Sequence, residues 1–205
     1  MDKVFLLLFL VILSGCSGKL KKEMIALRSD VAISTKQADS HPFRIQIRDI
    51  DPSRLADNQN VVVRKTDFTV AFERSAEWAV RPAAVLTDMI ESEISSTVQC
   101  KSVRRRYSEA VPDLLTGGTL AVVEDDQRNG KRVVALKVRL QLTTKEEQTL
   151  IDKVYASEKP IDLSVKYTVF ASVLNDLMKE TAKAFAADVA KAVSLRADEK
   201  KHSEN

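Results

Sequence analysis

The sequence predicts a single α+β domain in which two main helices pack on one face of an antiparallel sheet. Three observations carry that prediction. Val134, Leu136, Val138, Leu140 and Leu142 alternate with Ala135, Lys137, Arg139, Gln141 and Thr143, so a strand here has one apolar and one wet face. From about Val165 to Val193, Val169 or Phe170, Val173 or Leu174, Leu177 or Met178, Thr181 or Ala182, then Phe185, Val189 and Val193 recur every three to four positions, the stripe of a long amphipathic helix. That stripe matches the sheet's one apolar face, the combination that layers helices on one side of a sheet. A chain of 205 residues, 44% hydrophobic and 30% charged, is long enough for one domain with its own core and has a globular balance rather than a disordered or fibrous one.

At the N-terminus Lys3 precedes ten apolar residues, Val4 to Leu13. A bilayer core of about 30 Å needs about 20 residues to cross, so this run is too short to span and reads as the apolar region of a signal peptide, residues 1–15. The other reading, a short core helix with a buried cysteine, is disfavoured because buried helices are not normally apolar all round at an extreme terminus. Leu13-Ser14-Gly15-Cys16 resembles a bacterial lipobox. The resemblance implies a diacylglyceryl group on the Cys16 thiol, cleavage before it and an acylated new N-terminus. With each buried methylene contributing about 0.8 kcal/mol, two or three chains anchor firmly where one is marginal. Ser17, by resemblance to enterobacterial lipoproteins in which Asp here favours the inner membrane, implies export to the outer membrane. Lys19, Lys21 and Lys22 then lie beside the lipid, as headgroup contacts or as part of a solvated tether.

Residues 16–41 read as lipidated cysteine and tether, with room for a first short strand, and 42–193 as the folded domain. Phe43, Ile45 and Ile47 alternate with Arg44, Gln46 and Arg48, a half-buried strand. Asp51 to Asn60 carries Pro, Ser, Asp and Asn and predicts a loop. Val61 to Glu73 is β-branched and aromatic, with Phe68, Val70 and Phe72 on one side, and predicts one or two strands. Trp78 follows, read as a core residue pinning the next helix or as an exposed partner anchor. Pro82 suits the first turn of a helix to Val98, whose stripe is Leu86, Met89 or Ile90, Ile94 and Val98. Thr119 to Thr144 predicts a β-hairpin turning at Asn129-Gly130, residues that tolerate positive φ. A strand from about Thr149 to Ala156 is expected to close at Pro160. Residues 194–205 are charged and expected to fray.

The chemistry-bearing residues are sparse. His41 and His202 are the only histidines, and there is no nucleotide-binding glycine motif, nucleophile elbow or Cys/His metal spacing, so the sequence predicts no enzyme, no cofactor and no metal. Thr116 to Leu120 reads as a two-glycine turn. Cys100 reads as a buried structural cysteine rather than a reactive thiol, with no histidine base near it in sequence. Asp125 and Asp126, on the way into the hairpin turn, read as solvent-exposed. Arg104, Arg105 and Arg106 are the densest basic patch, either a phosphate or headgroup contact or a solvated strand edge. A formal net charge of +3, dispersed along the chain, predicts no nucleic-acid partner.

The order of these elements resembles the ABC-type transport auxiliary lipoproteins, the group that includes the paraquat-inducible C-type lipoprotein. Pro52, Leu55, Val63-Arg64, Trp78 and Pro82 carry the first part of the match, "TLAVVEDDQRNGKRVVALKVRLQL" the central hairpin and "KPIDLSVKYTVFASVLNDLMKETAKAFAADV" the closing helix. The match covers roughly Pro42 to Val193. A family tyrosine-leucine strand after the tether has no counterpart in "MIALRSDV", and the tail after Leu195 is extra. The resemblance implies a non-catalytic lipoprotein at the periplasmic face of the outer membrane. Its implied partner is a mammalian-cell-entry (MCE) type protein of an ABC lipid transporter, which it meets as a docking subunit or a homo-oligomeric ring. A lipoprotein regulator of a cell-wall synthase is the alternative from another class.

Overall fold

In the computed structural model, which describes residues 22–29, 41–105 and 111–203, the hairpin predicted at Asn129-Gly130 sets the frame. Asn129 and Gly130 have φ of 56° and 69°, the left-handed region that these two residue types enter most readily. The turn joins two 13-residue strands, β7 (Leu114–Asp126) and β8 (Arg132–Thr144), paired antiparallel from Leu114 opposite Thr144 to Asp126 opposite Val133. β9 (Thr149–Ile161) adds antiparallel to β8.

The other edge of β7 is shared by three short strands in chain order. β2 (Arg44–Ile47) meets Leu114 to Thr116, β3 (Asp51–Pro52) meets Thr119 and Leu120, and β4 (Asn60–Arg64) meets Glu124 to Asp126, all parallel to β7. The segment predicted as a loop thus steps along β7. Ser53 fixes the step where β7 bulges between Leu120 and Val122, its N–H donating to Leu120 O and its hydroxyl to Ala121 O, both at 2.9 Å. β5 (Val70–Trp78) returns antiparallel on β4, β1 (Glu23–Ile25) lies parallel beside β5, and β6 (Ser102–Arg104) lies parallel beside β2. The result is one nine-stranded sheet.

The α+β class and single domain stand, with one correction. The sheet is mixed rather than antiparallel throughout, because the chain from β2 to β4 advances along β7 instead of folding back on itself.

Two helices, α1 (Pro82–Thr97) and α2 (Tyr167–Ser203), share one apolar cluster with the sheet. Pro82 opens α1 at its first turn, as predicted. Leu86, Ile90 and Ile94 of α1, Leu136, Val138, Leu140 and Leu142 of β8, and Phe170, Leu174, Phe185, Val189 and Val193 of α2 are all buried. Lys137 and Arg139 on the far face of β8 are exposed, the alternation read from the sequence.

Four local expectations change. Thr116 to Leu120 is not a turn but part of β7, where a Cβ on Gly118 would lie 2.3 Å from the Arg139 carbonyl oxygen. The glycine there answers a neighbouring backbone rather than a bend. Pro160 does not end β9 but lies inside it, tolerated because β9 is an edge strand that pairs only with β8. α2 runs to Ser203, past the predicted fray, and Ala197 is buried. Phe68 and Phe72, read as one side of a strand, are exposed.

Candidate functional site

Three consecutive acids end β7, and each meets its own arginine. Glu124 binds Arg64 of β4 (Nη2 to Oε1 2.7 Å), Asp125 binds Arg132 of β8 (Nε to Oδ1 3.0 Å), and Asp126 binds Arg128 in the turn (Nη2 to Oδ2 2.6 Å). Asp125 is wholly buried and Arg132 is only 5% exposed, so the expectation that this acid pair faces solvent is wrong. The pairing reason is geometric: Asp125 lies opposite Val134, which places Arg132 diagonally across the hairpin on the same face. The signal was present in sequence, as acids before an Asn-Gly turn followed by Arg128 and Arg132 beyond it.

The buried pair is sealed from above by the start of α2. Arg132 Nη1 also donates to the carbonyls of Val165 (2.6 Å) and Leu163 (3.3 Å), and its guanidinium stacks 5.0 Å from the centre of the Tyr167 ring. Tyr167 donates to Glu73 at 3.1 Å and meets Phe170 edge to face, which in turn packs 6.2 Å from Trp78. Burial first, and then the negative charges of Asp125 and Glu73, push the Tyr167 hydroxyl above its ordinary value. The hydrogen bond from Arg128 holds the Asp126 carboxyl below its ordinary value. The arrangement stitches two hairpins and a helix start together, and every carboxylate of the triplet is already engaged. Among the described residues no group of three or more His, Cys, Asp or Glu is placed to hold a metal ion.

Trp78 is buried, at 4% exposure, and so presents no surface anchor. Pro82 is buried at the start of α1. Cys100 is buried, and burial pushes its thiol up to about 11, which keeps it protonated at neutral pH. Arg104 is exposed in β6, whereas Arg105 turns to Asp88 and Glu91 of α1. The triplet therefore does not present itself as one basic patch. Arg106 lies outside the described residues, as do Cys16, the signal peptide, Ser17, Lys19 and Lys21. Lys22 pairs with Glu77 of β5. Beside Arg105 an open cleft of about 680 Å³ is lined by Gln46, Ile47, Arg48 and Asp49.

The fold defines a class: a single α+β domain with two helices and a mixed sheet laid around one long strand. The family follows, since the model of the ABC-type transport auxiliary lipoprotein component matches residues 26–186, and the chain belongs to that family. Membership in a lipoprotein family carries a membrane-associated, periplasmic location, and this is not a known enzyme family. The crystal structure of a Xanthomonas campestris protein assigned to the DUF330 family superposes with a TM-score of 0.70 at 12% identity, covering 86% of this chain and 99% of that one. A second, the crystal structure of an uncharacterized protein, gives 0.62 at 12% identity, covering 82% and 99%. At such identities the likeness is one of fold. No curated protein matches the chain.

Proposed function

We propose that this protein is the lipid-anchored auxiliary subunit of an ABC transporter that moves lipid between membranes, held at the outer membrane through Cys16 and docking an MCE-type periplasmic protein. The supporting observation is the family match over residues 26–186, which begins ten residues after the Cys16 of Leu13-Ser14-Gly15-Cys16. The paired charges at the end of β7 fit this role, because they are committed to holding elements together and leave docking to the outer surface. Residues 1–15 serve as the signal peptide and 16–41 as lipid attachment and tether, except that β1 (Glu23–Ile25) in this stretch is part of the sheet, and the folded unit acts alone or as a ring of copies.

Crosslinking in intact cells, followed by mass spectrometry of captured partners with a Cys16→Ala control, tests the reading. Recovery of an MCE-type protein, reduced in the control, is expected. Recovery of a cell-wall synthase, or of the chain alone, overturns it.

A further inference from the structure

The described residue with the greatest mismatch between chemistry and surroundings is Phe68. It is 97% exposed at the tip of the β4–β5 hairpin. The tip is a closed turn: Lys65 N–H donates to Thr69 O at 3.0 Å, and Thr69 N–H donates at 3.1 Å to Thr66 Oγ1. Phe68 is thus presented outward by a fixed scaffold. The neighbouring β7–β8 tip is tied to it, with Lys65 Nζ donating to Gln127 Oε1 and Arg128 bridging Asp67 and Asp126. Asp67 and Asp126 offset two of the three positive charges of Lys65, Arg128 and Lys131, so the paired tips keep an excess of one, with Lys65 and Lys131 exposed. The chain between β9 and α2 reaches the same end, bringing Leu163, 61% exposed, with Lys159 and Lys166 and the opposing Glu158 and Asp162.

The sheet register fixes the direction in which β1 is entered. β1 lies parallel to β5 with Glu23 opposite Ala76, so the N-terminal end of β1 points toward the Val70 end of β5, where the Phe68 tip begins. Cys16 stands six residues before Lys22, a span of at most about 22 Å. Lys22, one residue before Glu23, stands level with Ser75, so the Val70 end of β5, where the Phe68 tip begins, is five residues or about 17 Å along the strand and within that reach. The opposite end of the sheet, where Leu114 pairs with Thr144, lies about 25 Å away along the strands at ~3.3 Å per residue, and three strands to the side as well.

We propose that the Phe68 tip is a second membrane contact, seated in the surface of the same phospholipid bilayer that takes the Cys16 acyl chains, with Lys65 and Lys131 against anionic headgroups. The inference rests on the lipoprotein reading of Cys16. An exposed aromatic ring on a tip that also carries lysines is the chemistry of an interfacial contact, the ring at headgroup level and the cations against anionic lipid. Two contacts, one covalent and one through the fold, hold the domain in one orientation, which a tether alone does not.

The test uses full-length protein extracted from bacterial membranes and reconstituted into phosphatidylethanolamine/phosphatidylglycerol vesicles whose acyl chains carry bromine, a quencher of tryptophan fluorescence. The natural chain has a single tryptophan, the buried Trp78, as background. In the Phe68→Trp variant the added fluorescence is expected to be largely lost relative to vesicles without bromine. In a Val111→Trp variant, at an exposed position beside the Leu114 end, it is expected to persist. Equal emission from Phe68→Trp with and without bromine, on vesicle-bound protein, overturns the proposal and assigns the tip to a protein partner or a second copy. Preferential quenching of Val111→Trp overturns it too. The mass of the purified chain separates the two readings: an unacylated Cys16 overturns the anchor, and this proposal with it, whatever the fluorescence.

Discussion

Arg132 is a buried cation that joins the β7–β8 hairpin to the start of α2. It faces a wholly buried carboxylate, two backbone carbonyls and an aromatic ring, and the carboxylate is shut off from water if it is removed. Arg132→Ala should cost about 3–5 kcal/mol in urea denaturation, because it leaves Asp125 charged and unpaired inside the protein. The Asp125→Leu, Arg132→Met double variant should recover much of that loss; a single-variant cost near zero would show that the pair contributes nothing. Cys100 gives a second prediction at this scale. Its buried, protonated thiol should resist iodoacetamide in the native protein and label fully in denaturant, and rapid native labelling would contradict its structural role. Cysteine burial was legible from the absence of a nearby base. The burial of Asp125 was not, because a turn-proximal acid is usually wet and only the hairpin register reveals the arginine across from it.

Among the elements, the two adjacent glycines of β7 make a contrast that separates packing from propensity. Gly118→Ala should destabilise by about 1–3 kcal/mol, since its Cβ would press on the Arg139 carbonyl and the Leu140 side chain and force β8 away. Gly117→Ala meets nothing within 4 Å and should be neutral or slightly stabilising, since it narrows the unfolded ensemble. Thermal denaturation of the two variants checks this, and equal shifts would refute the account. The misreading of this stretch as a turn has the same origin, because local sequence reports glycine's freedom but not the carbonyl that requires it. Pro160 was misread likewise: whether proline ends a strand depends on whether its missing N–H has a neighbour to serve. The α2 stripe and the alternation of β8, by contrast, are periodic over many residues, and both elements lie close to where the sequence places them.

For the molecule as a whole, the attachment of α2 to the sheet has a predictable pH dependence. Asp188 of α2 accepts hydrogen bonds from Lys153 (2.7 Å) and Tyr155 (2.6 Å) of β9, and these hold its carboxyl below its ordinary 3.8. A carboxyl depressed in the folded state contributes stability that is present above the unfolded value and is lost as pH falls through the folded one. Asp188→Asn should therefore lower the urea midpoint at neutral pH, and the difference from wild type should shrink once pH drops below 3.8. A difference independent of pH would refute the assignment. At this scale the sequence conveyed faces but not neighbours. Period-two alternation tells which side of a strand is buried, whereas the parallel pairing of β2, β3 and β4 with β7 joins segments some 60 to 70 residues apart and leaves no local trace.

That shared edge of β7 also orders events in time. β2 finds its ladder only on β6 and β7, and β3 only on β7, all of them later in the chain. A polypeptide made or delivered from its N-terminus presents these strands before anything exists to receive them. The β7–β8–β9 meander closes by short-range contacts and is suited to form early, while the earlier strands wait as open edges. The half of the chain that arrives first is the half that must dock last, and in that interval a holding chaperone has the most to protect.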